Sequence, residues 1–138
     1  KLDIELKRNI FHVEVGTDLA KILDVSIIYF DLDKWNIRPD AAEDLEKIIA
    51  VMNQYPNMTI DIRSHTDSRQ THKYNELLSD RRAKSTLEFM VKNGINRNRL
   101  TAKGYGETQL VNNCSDDVPC SEAEHQKNRR SEFIVLKM

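Results

Sequence analysis

The chain has 138 residues, a length that suits one domain with a single hydrophobic core. It contains 39% hydrophobic and 31% charged residues, with 21 Lys and Arg against 22 Asp and Glu. This composition is globular, and the balanced charge excludes a field that would draw the chain to nucleic acid or anionic lipid. No apolar run approaches the roughly 18 residues of a membrane span, and no signal peptide opens the chain. Because the chain starts at Lys1 and not at Met, we expect a piece of a longer precursor, attached to a membrane only through regions outside this sequence.

The first 24 residues are the least informative part of the chain. Apolar residues alternate near the start, so residues 1–24 are interpreted as a lead-in that packs on the following domain or ends a preceding one. Residues 25–30 form a short, β-rich and nearly continuous apolar run, which predicts a strand buried on both faces. A polar loop over residues 31–36 follows and carries the only Trp.

A helix and a strand are predicted next. Pro39 stands where the helix begins, and the acids just behind it favour the positive end of the helix dipole. Apolar residues at helical spacing form one stripe, and Pro56 ends the helix. From residue 58 to residue 62 apolar and polar residues alternate, which predicts a half-buried strand. That strand delivers His65-Thr66-Asp67 at its C-terminal end.

The second half of the chain predicts a helix from about Lys73 to Asn93, a strand over residues 100–106, a short helix opened by a capping box at residues 121–124, and a final strand over residues 133–136. The order strand, helix, strand, helix, strand, short helix, strand indicates an α+β fold. We expect a two-layer α/β sandwich in which the helices pack against a mixed four-stranded sheet. This single domain is assigned to residues 25–138.

Cys114 and Cys120 lie six positions apart in a polar stretch typical of a surface loop. A local disulfide is the favoured interpretation, and it would indicate an oxidising compartment outside the cytoplasm. Two alternatives stay open at this point. The cysteines could be free thiols, or they could form half of a metal site completed by His125, although five intervening residues are not a common zinc spacing.

Six groups of short motifs follow one another along the domain. They are Tyr29-Phe30-Asp31; Ile37-Arg38-Pro39; His65-Thr66-Asp67; Tyr74-Asn75 with Leu78-Ser79-Asp80-Arg81-Arg82-Ala83; Gly104-Tyr105-Gly106-Glu107; and Asn128-Arg129-Arg130. Together they resemble the OmpA-like (OmpA/MotB/Pal C-terminal) peptidoglycan-binding domain over about residues 26–138. The resemblance implies that family's βαβαβ(α)β fold. Two departures are Ser64, where the family usually has Gly, and the cysteine loop, which the family rarely carries.

The resemblance implies that Asp67 and Arg82 hold the diaminopimelate of the cell-wall stem peptide. The free end of that side chain bears an ammonium and a carboxylate on one carbon. An ionised Asp67 accepts hydrogen bonds from the ammonium, and the planar guanidinium of Arg82 matches the carboxylate. Arg81 lies roughly 100° around the helix from Arg82, so it should point elsewhere, into solvent.

Further ligand-binding positions follow from the same resemblance. Asn75 and Asp31 match residues of the ligand groove, and the backbone from Thr66 to Ser68 is expected to donate N–H groups to ligand carboxylates. These positions also have structural interpretations. Asn75 could be only a polar residue in the first turn of a helix, and Asp31 could only start the loop. Asp67 and Arg82 could form only a salt bridge. His65 is interpreted as structural.

The resemblance implies a function of non-catalytic peptidoglycan binding, by which the domain anchors an outer-membrane or envelope protein to the cell wall. The implied location is the periplasmic face of the outer membrane of a Gram-negative bacterium. No cofactor and no metal are expected. One alternative is a protein-interaction or dimerisation module of an envelope complex. Another is a zinc-dependent cell-wall peptidase with His65, Asp67 and His72 as metal ligands. The second is poorly supported, because there is no helical His pair four residues apart.

Overall fold

A computed structural model describes residues 2–6, 9–25, 28, 30 and 34–138. In chain order the elements are β1 (Leu2–Leu6), β2 (Asn9–Val13), α1 (Leu19–Leu23), α2 (Pro39–Gln54), β3 (Thr59–His65), α3 (His72–Lys92), a 3₁₀ turn (Arg97–Arg99), β4 (Leu100–Gly106), α4 (Glu122–Gln126) and β5 (Ser131–Lys137). Within the described part, no helix is both long and apolar enough to cross a membrane.

The main sheet has the strand order β4-β3-β5, with β3 parallel to β4 and antiparallel to β5. It is therefore mixed, as predicted. Among the described residues it has three strands, whereas the sequence analysis expected four. The missing strand was predicted over residues 25–30, and residues 26, 27 and 29 of that run lie outside the described residues. The described Val25 and Ile28 are buried but are not in a strand.

The lead-in folds as a hairpin followed by a short helix. β1 and β2 pair antiparallel, and α1, which was not predicted, packs on β5. The carboxylate of Asp18 caps α1 and also accepts the backbone N–H of Phe133 at 2.8 Å. Val13 and Leu19 are fully buried in the hydrophobic core. The end of the lead-in is therefore attached directly to the last strand of the sheet.

The two long helices, α2 and α3, lie where the sequence predicts helices. Pro39 is the first residue of α2, and the apolar stripe of that helix is buried, with Leu45 and Met52 fully inaccessible. Thr71 caps α3 by accepting the N–H of Tyr74 at 3.1 Å. The core lies between these helices and the sheet.

The glycines of β4 let α3 lie unusually close to the sheet. A Cβ atom at Gly104 would stand 2.0 Å from the backbone nitrogen of Asp80, so no other residue fits without moving the helix. At Gly106 the backbone has φ +53°, and its N–H donates to the hydroxyl of Ser79 at 2.8 Å. This contact fixes the N-terminal half of α3 beside the carboxyl end of β3, where the site is built.

Candidate functional site

A cavity of about 510 Å³ opens where β3 ends. Its walls come from the loop after β3, the N-terminal half of α3, α4 and the start of β5. Four of the predicted site residues line it: Thr66, Asp67, Asn75 and Arg82. Ser68 is buried beside it but does not line it, and Asp31 lies outside the described residues. The fold therefore brings the predicted acid and the predicted guanidinium to one cavity, although 15 positions separate them in the chain.

The carboxylate of Asp67 is almost buried, with 10% of the side chain exposed, and it is bound by two arginines. Its Oδ1 accepts the backbone N–H of Arg69 at 2.9 Å. Its Oδ2 accepts the Arg69 guanidinium, at 2.9 Å from Nη2 and 3.2 Å from Nε, and Nη1 of Arg129 at 2.7 Å. Burial alone would raise the pKa of Asp67, but the hydrogen bonds from Arg69 and Arg129 lower it from 3.8 to about 2. Asp67 is thus ionised at neutral pH.

Glu122 of α4 joins the two arginines on their outer side. It accepts Nη1 of Arg69 at 2.7 Å and Nη2 of Arg129 at 2.5 Å, and 62% of its side chain is exposed. The result is a neutral network of two acids and two arginines drawn from three separate parts of the chain. Arg69, Arg129 and Glu122 were not predicted as site residues. The only signal for Arg129 was its place in the Asn128-Arg129-Arg130 motif.

Arg82 reaches the same cavity from α3. Its Nε donates to the backbone carbonyl of Lys34 at 2.9 Å, and its guanidinium carbon lies 4.8 Å from the centre of the Phe30 ring. Arg81 faces away from this cavity, as its position on the helix predicts. It is exposed and lies over the indole of Trp35, at 4.5 Å from the ring centre.

Asn75 and Thr66 hold the loop that carries Asp67. The amide of Asn75, which is 3% exposed, donates to the backbone carbonyl of Asp67 at 3.1 Å and to Oε1 of Glu107 at 3.2 Å. Thr66 donates its hydroxyl to the Asp67 carbonyl at 3.0 Å and its backbone N–H to the Gly106 carbonyl at 2.8 Å. The Thr66 N–H is therefore not available to a ligand, contrary to expectation, because it continues the β3–β4 pairing. Within the described chain, the backbone N–H groups of Asp67 and Ser68 have no protein acceptor.

The cysteine loop packs beside the segment that carries Asp67. Cys114 and Cys120 are joined by a disulfide, as predicted, so neither is a free thiol or a metal ligand. The hydroxyl of Ser68 donates to the Cys114 carbonyl, and Nε2 of His72 lies 2.6 Å from Oδ2 of Asp116. These contacts tie the loop to the end of β3 and to the first turn of α3.

Glu107 connects the cysteine loop to the residues under the cavity. It is buried, it accepts the Asn75 amide, and it hydrogen-bonds the carboxyl group of Asp116. Burial, and next the contact with Asp116, raise the pKa of Glu107. Oε2 of Glu107 lies 3.6 Å from Nε2 of His72, so these three groups form one titratable cluster beside the site.

The three residues considered as zinc ligands do not converge. Nε2 of His65 lies 2.7 Å from Glu132, and the imidazole stacks on Tyr105 at 5.5 Å between ring centres. Burial is the main cause that lowers the pKa of His65, whose side chain is 1% exposed. Asp67 is bound by its arginines and His72 by Asp116. His65 is buried and hydrogen-bonded to Glu132 at the end of β3, where it also lines the cavity, and its interpretation as a structural residue stays a prediction.

The sequence of the chain matches the model of one protein family over residues 29–124, which is more than half of its length. That family is described as the OmpA family. The chain belongs to the OmpA family. The alignment contains the cavity-lining segments from β3 and α3 as well as the cysteine loop.

Curated relatives agree with this assignment. The chain is 36% identical over 108 residues to the peptidoglycan-associated lipoprotein of Agrobacterium fabrum, with 78% of this chain and 58% of that protein covered. It is 36% identical over 118 residues to outer membrane porin F of Pseudomonas fluorescens, with 85% of this chain and 35% of the porin covered. It is also 39% identical over 109 residues to a photosystem I P700 chlorophyll a apoprotein A2 of Gloeobacter violaceus, covering 78% of this chain but only 12% of that protein. The chain thus spans only part of each of these relatives.

The fold is shared with solved OmpA-like domains. The crystal structure of the peptidoglycan-associated lipoprotein from Burkholderia pseudomallei superposes with a TM-score of 0.68 at 24% identity, covering 80% of this chain and 89% of that one. At this identity the comparison establishes the two-layer α/β architecture.

Proposed function

We propose that this chain binds peptidoglycan without cleaving it and that it recognises the diaminopimelate of the stem peptide. The observation that carries the proposal is the ionised, nearly buried carboxylate of Asp67 in the same cavity as the guanidinium of Arg82. A zwitterionic end group with an ammonium and a carboxylate on one carbon is complementary to that pair. The name of the Agrobacterium relative, a peptidoglycan-associated lipoprotein, points in the same direction.

The two oxygens of Asp67 are not equivalent, and the difference suits an ammonium. Oδ2 accepts three side-chain hydrogen bonds, two from Arg69 and one from Arg129, whereas Oδ1 accepts from the described residues only the Arg69 backbone N–H. A carboxylate oxygen can accept more than one hydrogen bond, so Oδ1 keeps room for a ligand donor while the arginines hold the carboxylate in place. Among the described residues the backbone N–H groups of Asp67 and Ser68 have no protein acceptor, so they would supply donors for a ligand carboxylate that lies close to Asp67.

The domain then acts as an anchor in the Gram-negative envelope, at the periplasmic face of the outer membrane. A disulfide suits an oxidising compartment, and the named relatives include an outer membrane porin and a lipoprotein. The whole protein to which this domain belongs would be tethered to the cell wall through the Asp67 cavity.

Co-sedimentation with purified diaminopimelate-type sacculi tests the proposal. The wild-type chain should pellet with the sacculi, Asp67→Ala should stay in the supernatant, and Lys137→Ala, at an exposed residue outside the cavity, should behave as the wild type. EDTA should leave the binding unchanged, and no muropeptides should be released. Equal pelleting of wild type and Asp67→Ala, or release of muropeptides that EDTA stops, would contradict the proposal.

A further inference from the structure

A second cavity, of about 600 Å³, runs along the outer surface of α3 beside the loop that carries Trp35. Its base is a stripe of one helix face that extends from Arg81 to Lys92 and contains Ser85 and Phe89. The helix rises by about 16 Å over the eleven steps from Arg81 to Lys92, so the groove is longer than a single sugar ring. Trp35, Asn36 and Ile37 form its other wall.

The lining of this groove combines an aromatic surface with hydrogen-bonding groups. Trp35 is 41% exposed and is the only Trp of the chain. The lining also contains the amide of Asn36, the hydroxyl of Ser85 and the carboxylate of Glu88, which Arg97 already binds through both oxygens. The face of an aromatic ring binds the C–H surface of a pyranose. Amide, carboxylate and hydroxyl groups beside the ring form hydrogen bonds with the hydroxyl and N-acetyl groups of the sugar.

The groove adjoins the Asp67 cavity through two pairs of neighbouring residues. The carbonyl of Lys34 accepts Nε of Arg82 at 2.9 Å, and Arg82 lines the Asp67 cavity. The next residue of the loop, Trp35, lies under the next residue of the helix, Arg81, in the groove. A ligand that leaves the first cavity past Arg82 therefore meets the Trp35 groove.

We propose that this groove is a saccharide subsite, in which the ring face of Trp35 that Arg81 does not cover stacks on an N-acetylated sugar of the polymer whose stem peptide occupies the Asp67 cavity. The inference rests on the proposed function, since it needs a ligand in that cavity. In peptidoglycan the stem peptide is covalently joined to the sugar, and three extended residues span about 10 Å. That reach is about two turns of helix, so one ligand can contact both cavities. Sugar and peptide then bind as two linked parts.

Calorimetry with two ligands tests the subsite: a free diaminopimelate-containing stem peptide, and the same peptide attached to its disaccharide. Wild type should bind the disaccharide peptide roughly tenfold more tightly, the gain expected from covering one ring face. Trp35→Ala should keep the affinity for the free peptide and lose the gain, and Trp35→Tyr should recover part of it. Leu136→Ala, which removes another exposed apolar side chain, should keep the whole gain.

Because the chain has a single Trp, its emission reports directly on the groove. The disaccharide peptide should shift the emission, and the free peptide should not. Equal wild-type affinities for the two ligands, or a tenfold gain that survives in Trp35→Ala, would overturn the subsite. A shift with anionic lipid vesicles and none with the disaccharide peptide would assign the groove to a lipid surface and overturn it as well. If wild type bound neither ligand, the proposed function itself would fail, and titration with an N-acetylglucosamine oligomer would test the groove alone: a saturable shift supports it, and no shift overturns it.

Discussion

Replacing Asp67 by Asn removes the charge of the site and keeps its shape, so the change measures what the carboxylate contributes to folding. In the folded protein the pKa of Asp67 is about 2, against an ordinary value of 3.8. A tenfold difference in proton affinity corresponds to about 1.4 kcal/mol, so the lowered pKa indicates about 2 kcal/mol of stability in the ionised state. The side chain is 10% exposed, so solvent screening reduces this figure little.

The pH dependence has a definite sign. Because folding lowers the pKa of Asp67, its stabilising contribution is fully present above the unfolded value of 3.8 and is lost as the pH falls towards 2. We expect Asp67→Asn to lower the free energy of unfolding by about 2 kcal/mol at pH 7. The difference between the two proteins should shrink as the pH falls from 4 towards 3.

Urea denaturation at pH 7, 5, 4 and 3 measures this difference, with Asp117→Asn, a neighbouring substitution in the exposed cysteine loop, as the matched control. The control should change the free energy of unfolding little at every pH. An Asp67→Asn cost that stayed constant from pH 7 to pH 3 would refute the reasoning, because it would come from packing and not from charge. The measurement also shows whether Asp67→Asn is folded at pH 7. If the folded variant fails to pellet with sacculi, the loss is one of binding and not of folding.

Four further outcomes are expected. Gly104→Ala should destabilise the fold by several kcal/mol in urea titrations, because its Cβ would overlap the backbone of α3; a mild effect would show that the helix can move. Thiol titration of the denatured, unreduced protein should find no free thiol, and reduction should lower the free energy of unfolding by about 2 kcal/mol, the value for a short loop. Arg82→Ala should weaken binding of the free diaminopimelate-containing stem peptide by about 2 to 5 kcal/mol, whereas Arg81→Ala should change it little; equal losses would mean that the wrong arginine is assigned. Calorimetry should show that stem peptides with diaminopimelate bind about tenfold to a hundredfold more tightly than those with lysine, because lysine lacks the second carboxylate. Equal affinity would show that Arg82 does not bind that carboxylate.

The elements that the sequence predicted correctly are those with strong local signals. α2 has Pro at its first position and an apolar stripe with helical period, and β3 alternates apolar and polar residues. α1 lacked such a signal because five residues make a helix only when tertiary contacts support it. Here the support is Asp18, which caps α1 and binds the backbone of β5. That contact joins positions 115 residues apart, beyond the reach of local pattern.

The residues of the candidate site likewise divide into those that local motifs indicated and those that only the folded structure brings together. The motif at the end of β3 indicated Asp67, the helix motif indicated Arg82, and both residues line one cavity. Arg129 was not predictable as a partner of Asp67, because it comes from a position 62 residues away. Nothing in the local sequence distinguishes Arg129 from Arg130, and the two differ only in the direction that the start of β5 gives them. Arg129 reaches Asp67, whereas Arg130 lies 3.8 Å from Glu132.

The network around Asp67 couples the site to the fold. Its members come from the loop after β3, from α4 and from the residues just before β5, so their charges meet only when the sheet, α3 and the cysteine loop are in place. In the unfolded chain the same acid returns to its ordinary pKa. The charge that the proposed ligand would contact is therefore held by tertiary structure. Because Oδ2 holds the arginines and Oδ1 accepts a single hydrogen bond from the described residues, the proposed ammonium would need no rearrangement of the arginines, and the proposed site would be preorganised.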